Sequence, residues 1–296
     1  MNWLSTLQKA IDFIETHLCE NISADDAAKE CAISSFYLQK GFSIITGYSI
    51  GEYIRNRRLY EAALELQSAN EKIINLAFKY CYETQESFTK AFSRFHGCTP
   101  MDVRNKLKNI KIFIPLKIQI SIQGGNKMDY RIEKMTNFKI IGFKRRFNME
   151  TSLSEIPKFW DEVFGSYAKK LYSQHKLPEN ATERAFVENQ IGMYGACIDD
   201  ETETQGDFYY MIAGPYCGGS VPEGLEIFEF EASEWAKFDC VMKTIQETTQ
   251  KIFQEWLPAN EDFEMTSGSS IEWYSSDDEP FDQNHKCSVW IPVKRK

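Results

Sequence analysis

The chain has 296 residues, of which 43% are hydrophobic, 14% aromatic and 26% charged, a composition that fills at least one full core and excludes a disordered or fibrous chain. Its 34 Lys and Arg against 43 Asp and Glu give a net charge of -9, which as a whole-chain average argues against nucleic acid as a partner. That average hides an asymmetry, because residues 1–108 carry 13 basic and 13 acidic side chains and all the excess acidity falls in residues 109–296, the pattern of two modules with different partners.

No run of about 18 apolar residues is present to span a bilayer, and Met1-Asn2-Trp3-Leu4 lacks the basic region that opens a secretion signal, so a cytoplasmic protein without membrane contact is expected. The eight cysteines show neither Cys-x-x-Cys pairs nor zinc-like spacing with histidine, so they read as reduced thiols, with no metal and no cofactor.

In chain order, Leu4, Leu7, Ile11, Ile14 and Leu18 recur at helical spacing and predict an amphipathic first helix. Ser23 and Asp26 form a capping box before a second helix ending near Glu30, and Ser34 caps a third that carries Phe36, Leu38, Phe42 and Ile45 to a stop at Gly47. A second box, Ser49 to Glu52, opens a longer helix through Leu66. The pattern then repeats, with a short helix at Ile73–Phe78, a turn at Tyr80–Glu83, a helix capped by Thr84 and stopped at Gly97, and a last helix started by Thr99-Pro100. Two short-helix, turn, helix units joined by a long helix predict an all-α tandem helix-turn-helix domain of seven helices over residues 1–108.

After residue 108 the texture becomes strand-like. Leu116–Gln123 alternates apolar and polar residues and predicts a strand inside a linker spanning 109–127, broken by Gly124-Gly125-Asn126. Residues 128–296 read twice as strand, helix, strand, strand. The first pass takes Tyr130–Phe147, a helix from about Glu155 to His175, Ile191–Ile198 and Phe208–Ala213. The second takes Leu225–Glu231 with Trp235–Val241, a helix from Thr244 to Trp256, Ile271–Tyr274 and Cys287–Val293. The prediction is one α+β domain with pseudo-twofold repeated units.

A helix-turn-helix reads DNA through the outer face of its second helix, where hydrogen-bonding side chains meet base edges. In the first unit that face offers Ser35, Gln39, Lys40 and Ser43, and in the second Gln85, Glu86, Thr89, Lys90 and Ser93. Arg94, Arg55, Arg57 and Arg58 supply charge for phosphates.

The run Tyr37-Leu38-Gln39-Lys40-x-Phe42, followed by Thr46-Gly47-x-Ser49-x-x-x-Tyr53-Ile54-Arg55-x-Arg57-Arg58, resembles the first half of an AraC/XylS-type DNA-binding domain. Ile74-Asn75-Leu76-Ala77, Tyr80-x-Tyr82-x-x-Gln85-x-Ser87-Phe88-x-Lys90-x-Phe92 and Gly97-x-Thr99-Pro100 through Arg104 resemble its second half. The resemblance implies a monomeric reader that lays two helices into successive major-groove segments of double-stranded DNA, activates transcription and meets RNA polymerase. Two residues depart from the pattern. Cys81 stands where the family usually has Gly, and Gly41 interrupts the first reading helix, where it is expected to weaken it. A reader with no net charge is also expected to show modest affinity and a shallow salt dependence.

The second module is aromatic and acidic, holding Trp160, Trp235, Trp256, Trp273 and Trp290. Aromatic walls with one or two buried carboxylates suit a lipophilic cation. Glu272 and Tyr274 fall on one face of a strand. Tyr130-Arg131-Ile132-Glu133, Ile141-Gly142, Tyr194-Gly195, Phe208-Tyr209-Tyr210, Trp256-Leu257-Pro258, Ile271-Glu272-x-Tyr274 and Trp290-Ile291-Pro292-Val293 together resemble a GyrI-like effector-binding domain, the module also found in multidrug-responsive regulators. The resemblance implies Glu272 as charge partner, Tyr274 and Tyr210 as cleft walls, and Tyr194 and Trp256 as further wall residues. The expected function is a DNA-binding transcription regulator, not an enzyme, that senses a small lipophilic cation. The alternatives are a GyrI-like domain that binds a protein partner, or one that hydrolyses small molecules. The second is disfavoured because His17, His96, His175 and His285 sit in no nucleophile or metal motif.

Overall fold

The computed structural model describes residues 3–68, 71–118, 128–174, 176–199, 207–276 and 282–296. The helical part comprises α1 (Trp3–Thr16), α2 (Ala24–Cys31), α3 (Ser35–Thr46), α4 (Ile50–Ser68), α5 (Ile73–Lys79), α6 (Gln85–His96) and α7 (Pro100–Arg104), of which α2, α3, α4, α6 and α7 begin where the sequence places caps. Ser23 and Asp26 form a reciprocal capping box, as do Thr99 and Asp102, while the Ser34 and Thr84 hydroxyls each accept an amide of the first turn. Gly47 and Gly97 end α3 and α6 in the left-handed conformation at φ 76° and 72°.

In the turn between α5 and α6, Cys81 takes φ 64°. A side chain costs roughly 1 kcal/mol there relative to glycine. Cys81→Gly is therefore expected to raise unfolding stability by about 1 kcal/mol in a urea titration, less the entropy glycine adds to the unfolded chain. Gly41 has a reason that the helical pattern conceals. A Cβ on it would lie 2.0 Å from Trp3 Cζ2, so the indole closes directly over the α3 backbone. Trp3 stacks on Tyr37 at 4.8 Å between centroids and meets Phe253 edge-on at 6.3 Å. The propensity lost at Gly41 is thus offset by burial of a large aromatic.

The predicted linker strand is corrected in part. Leu116–Ile118 pair with no strand, and the rest of that run lies outside the described residues. Side chains of the helical region hold this stretch instead. Lys111 N donates to His96 Nδ1 (3.1 Å), Leu116 N to Tyr53 Oη (3.2 Å) and Ile118 N to Gln8 Oε1 (2.9 Å). A backbone satisfied by side chains has no need of a ladder.

Beyond it, β1 (Arg131–Met135), β2 (Phe138–Asn148), β3 (Tyr194–Ile198), β4 (Asp207–Pro215), β5 (Glu226–Phe230), β6 (Ser233–Val241), β7 (Phe263–Met265), β8 (Ser270–Tyr274) and β9 (Lys286–Arg295) build one antiparallel sheet in the order β1-β6-β9-β8-β3-β4-β2-β5, with β7 on the edge of β9. The order is symmetric about the β8–β3 junction, so β2, β4 and β3 answer to β6, β9 and β8, and the predicted doubled unit is present. One assignment changes. Leu225–Glu231 was expected in the second unit, yet β5 pairs with β2 of the first while β1 pairs with β6 of the second. The halves exchange their edge strands, and the turns meet where Ala232 N donates to Asn137 Oδ1 (2.9 Å). The exchange leaves each half's outer strand paired rather than open.

Helix α8 (Ser152–Val163), continued by π-helical turns Phe164–Ser173, covers one half, and α10 (Ile245–Lys251), continued by Ile252–Trp256, covers the other; a short α9 (Ala181–Glu188) was not expected. No described helix is long and apolar enough to cross a membrane.

Candidate functional site

At the β8–β3 junction Gly195 lies opposite Glu272, and Cys197 lies opposite both Tyr210 and Ser270. Opposed residues and residues two apart share a face, so Gly195, Cys197, Tyr210, Ser270, Glu272 and Tyr274 line one surface. Glu272 is the centre of a hydrogen-bonded set. Tyr274 Oη donates to its Oε2 at 2.9 Å, and Tyr210 Oη donates to the same oxygen at 3.3 Å. Trp160 Nε1 donates in turn to Tyr210 Oη at 2.9 Å and its ring meets Tyr274 edge-on at 5.5 Å. A Cβ at position 195 would lie 2.2 Å from Tyr210 Oη and 3.2 Å from Glu272 Oε2, so this convergence requires a glycine there.

Burial governs the electrostatics. It pushes the Glu272 carboxyl above its ordinary pKa, opposed by the Tyr274 hydrogen bond, the Lys40 charge and the Tyr210 hydrogen bond. Tyr210 and Tyr274 are raised well above the usual tyrosine value, first by burial and then by the neighbouring carboxylate. Both phenols therefore remain protonated donors. The arrangement is a carboxylate held by phenols in an aromatic setting.

The other expected wall residues fall elsewhere. Tyr194 pairs with Trp273, one residue out of phase with Glu272, and turns to the opposite sheet face against Trp290 at 5.9 Å. Trp256 packs edge-on against Tyr130 and Phe238, and Phe238 lies two strands from Glu272 by way of Val289. Trp160 belongs to the set and was not singled out. Its place on the apolar stripe of α8 is the one signal the sequence offers, and that stripe looks the same for a core residue.

The reading helices are in unlike environments. On α6, Gln85, Glu86, Lys90 and Arg94 are exposed and Thr89 is partly so. On α3, Gln39 is 5% exposed and bonds Ser35 Oγ, which itself donates to Asp25, while Ser43 is half-buried. The sheet domain packs against α3. Phe36 stacks on Phe208 at 4.8 Å, Ser34 Oγ donates to Asp199 Oδ2 at 2.6 Å, and Lys40 Nζ donates to Ser270 Oγ at 2.6 Å and Gly268 O at 3.2 Å. Arg55 stays exposed beside Glu150, 3.6 Å away. Arg57 does not face outward, since it is 2% exposed and its guanidinium bonds Glu15, Glu61 and Phe113 O. From there it reaches no phosphate.

Two helix-turn-helix units ahead of a twofold-repeated sheet with a carboxylate at its junction define a DNA-binding transcription regulator that carries its own small-molecule sensor. Residues 27–106 match a helix-turn-helix domain family, and residues 128–294 match the GyrI-like small molecule binding domain family. Over its full length the chain is 33% identical to the right origin-binding protein of Escherichia coli, an alignment of 312 positions covering 100% of both chains. Its helical part is 36% identical to the regulatory protein SoxS of Salmonella typhimurium, covering 36% of this chain and 100% of that one. It is likewise 40% identical to the transcriptional activator AarP of Providencia stuartii, covering 32% of this chain and 71% of the relative. The chain belongs to the AraC-type helix-turn-helix regulators with a C-terminal GyrI-like domain.

Proposed function

We propose that the surface around Glu272 binds a lipophilic monocation, and that this event is passed to a reader which activates transcription by meeting RNA polymerase in the cytoplasm. The observation that carries the ligand class is the Trp160, Tyr210, Glu272 and Tyr274 set, in which donors ring one partly buried carboxylate. A cation in contact with Glu272 would be neutralised at close range and could lie against ring faces. In this reading residues 1–108 form the reader and 128–296 the sensor, with 109–127 as linker. The α6 residues Gln85, Glu86, Thr89 and Lys90 contact one major-groove segment, with Arg94 on a phosphate. Ser35, Gln39, Lys40 and Ser43 contact the next once α3 leaves the sensor, and Arg55 clamps a phosphate.

The test uses two ions of matched shape and opposite charge. Tetraphenylphosphonium is expected to quench tryptophan fluorescence of the full chain with saturation, whereas tetraphenylborate is expected to bind at least about tenfold more weakly. Equal affinity for both ions would remove Glu272 from the role of charge partner.

A further inference from the structure

The ammonium group of Lys40 lies in two places at once as far as function is concerned. It belongs to the first reading helix, and it ends on Ser270 Oγ at 2.6 Å and Gly268 O at 3.2 Å, some 230 residues away in sequence. Ser270 is two residues before Glu272 on the same face of β8. The Lys40 charge is among the influences that favour the ionised form of Glu272, and it also acts on Cys197 on the facing strand. Lys40 further lies over the Phe36 ring, 5.5 Å from its centroid, and that ring is stacked on Phe208 of the sensor. Seen from the sensor, a primary ammonium on a flexible apolar stem, flanked by an aromatic ring, has entered the strand face that carries the carboxylate, as a lipophilic cation would.

We propose that Lys40 is a tethered occupant of the effector site: it and a lipophilic cation exclude one another beside Glu272, so effector binding releases the first reading helix, while α6 is open in either state. The proposal rests on the cation reading given above and adds how the site is regulated. Its physical basis is short. One carboxylate in a partly buried setting balances one positive charge well, and a second brought within a few ångströms is repelled by the first. Lys40 in turn gains on leaving, because a duplex offers phosphates and base acceptors to the same ammonium. The coupling is reciprocal, so DNA that holds α3 must raise cation affinity by the same factor by which the cation raises DNA affinity.

The experiment reads Lys40 directly in the full-length protein. Amine acetylation by an N-hydroxysuccinimide ester is followed by peptide mass spectrometry, with the exposed Lys90 on α6 as internal reference. Without ligand, Lys40 is expected to react several-fold more slowly than Lys90. Saturating tetraphenylphosphonium should bring the two rates together. Glu272→Gln should also speed Lys40 in the absence of any ligand, since the countercharge is gone. Lys40→Met should bind tetraphenylphosphonium about tenfold more tightly than the wild type, a gain of about 1.4 kcal/mol. Ser270→Ala, which alters only the sensor side, should tighten it in the same direction. An unchanged Lys40 rate in Glu272→Gln, or equal cation affinity in wild type and Lys40→Met, overturns the exclusion while leaving the cation reading intact. Failure of tetraphenylphosphonium to bind either wild type or Lys40→Met overturns both.

Discussion

Replacing Glu272 by glutamine is expected to weaken binding of a lipophilic cation by about 2–5 kcal/mol, 30-fold or more, the usual cost of removing one member of a desolvated charge pair. Glutamine keeps the size of the side chain and can still accept from Tyr274 and Tyr210, so a loss would report charge rather than shape. The pH dependence follows from the direction of the shift. Burial raises the Glu272 carboxyl, so on acidification it takes up a proton at a higher pH than an exposed glutamate. Wild-type affinity should therefore fall through that raised midpoint as the pH is lowered, and the glutamine variant should stay flat. Stability runs the other way. A carboxyl whose folded pKa lies above its unfolded value favours folding at low pH and forfeits that contribution as the pH rises through the folded pKa. Glu272→Gln is accordingly expected to unfold at the same temperature as wild type or higher at neutral pH. Isothermal titration at two pH values and a thermal melt check the three statements. Full cation affinity in the variant would contradict the first.

Arg57→Ala is expected to cost about 3 kcal/mol of folding stability, the lower end of the range for breaking a buried ion pair, because Glu15 and Glu61 keep some contact with water. The guanidinium joins three segments. Its Nε donates to Glu15 of α1 at 2.8 Å, its Nη2 to Glu61 one turn on along α4 at 2.5 Å, and its Nη1 to Phe113 O at 2.7 Å. Tyr53 Oη also donates to Glu15 at 2.6 Å and accepts from Leu116 N, so the stretch after α7 is tied to the same carboxylate. Truncation leaves Glu15 without its countercharge, held by Tyr53 alone of these two donors, and takes a donor from Phe113 O. Arg57→Lys should recover part of the loss, since the charge remains but the fork is gone. Urea unfolding measures both, and a change within about 0.5 kcal/mol for Arg57→Ala would mean that the network adds nothing. The same geometry explains why this arginine is absent from the DNA-facing surface.

The two variants mark where sequence reasoning reaches and where it stops. Caps are local, because a serine or threonine and the amide it accepts lie within one turn, so Ser23, Ser34, Thr84 and Thr99 announced their helices directly. Glu272 was legible for a similar reason: strand alternation puts it and Tyr274 on one face whatever they pack against. Arg57 was misread as a phosphate clamp because a helix pattern cannot say which long polar side chain finds a carboxylate on a helix some forty residues earlier. Tyr194 was placed among the walls on a short motif, yet pairing with Trp273 sets its phase to the other side of the sheet.

Composition, charge split, caps and periodicity thus determined the two-part plan, the tandem helix-turn-helix units, the doubled strand-helix-strand-strand unit and the shared strand face of Glu272 and Tyr274, because each is written in residue order or in contacts within a few residues. Only the tertiary structure decided that the halves exchange their edge strands, that Trp3 closes over Gly41, that Trp160 completes the Glu272 set, and that α3 is covered while α6 is open. Each of these depends on side chains far apart in sequence meeting in space. The net charge of -9 illustrates the division. Its sum could be split along the chain by counting. That one lysine of the neutral half ends on Ser270, two residues from a carboxylate of the acidic half whose ionisation it favours, became visible only with the two packed together.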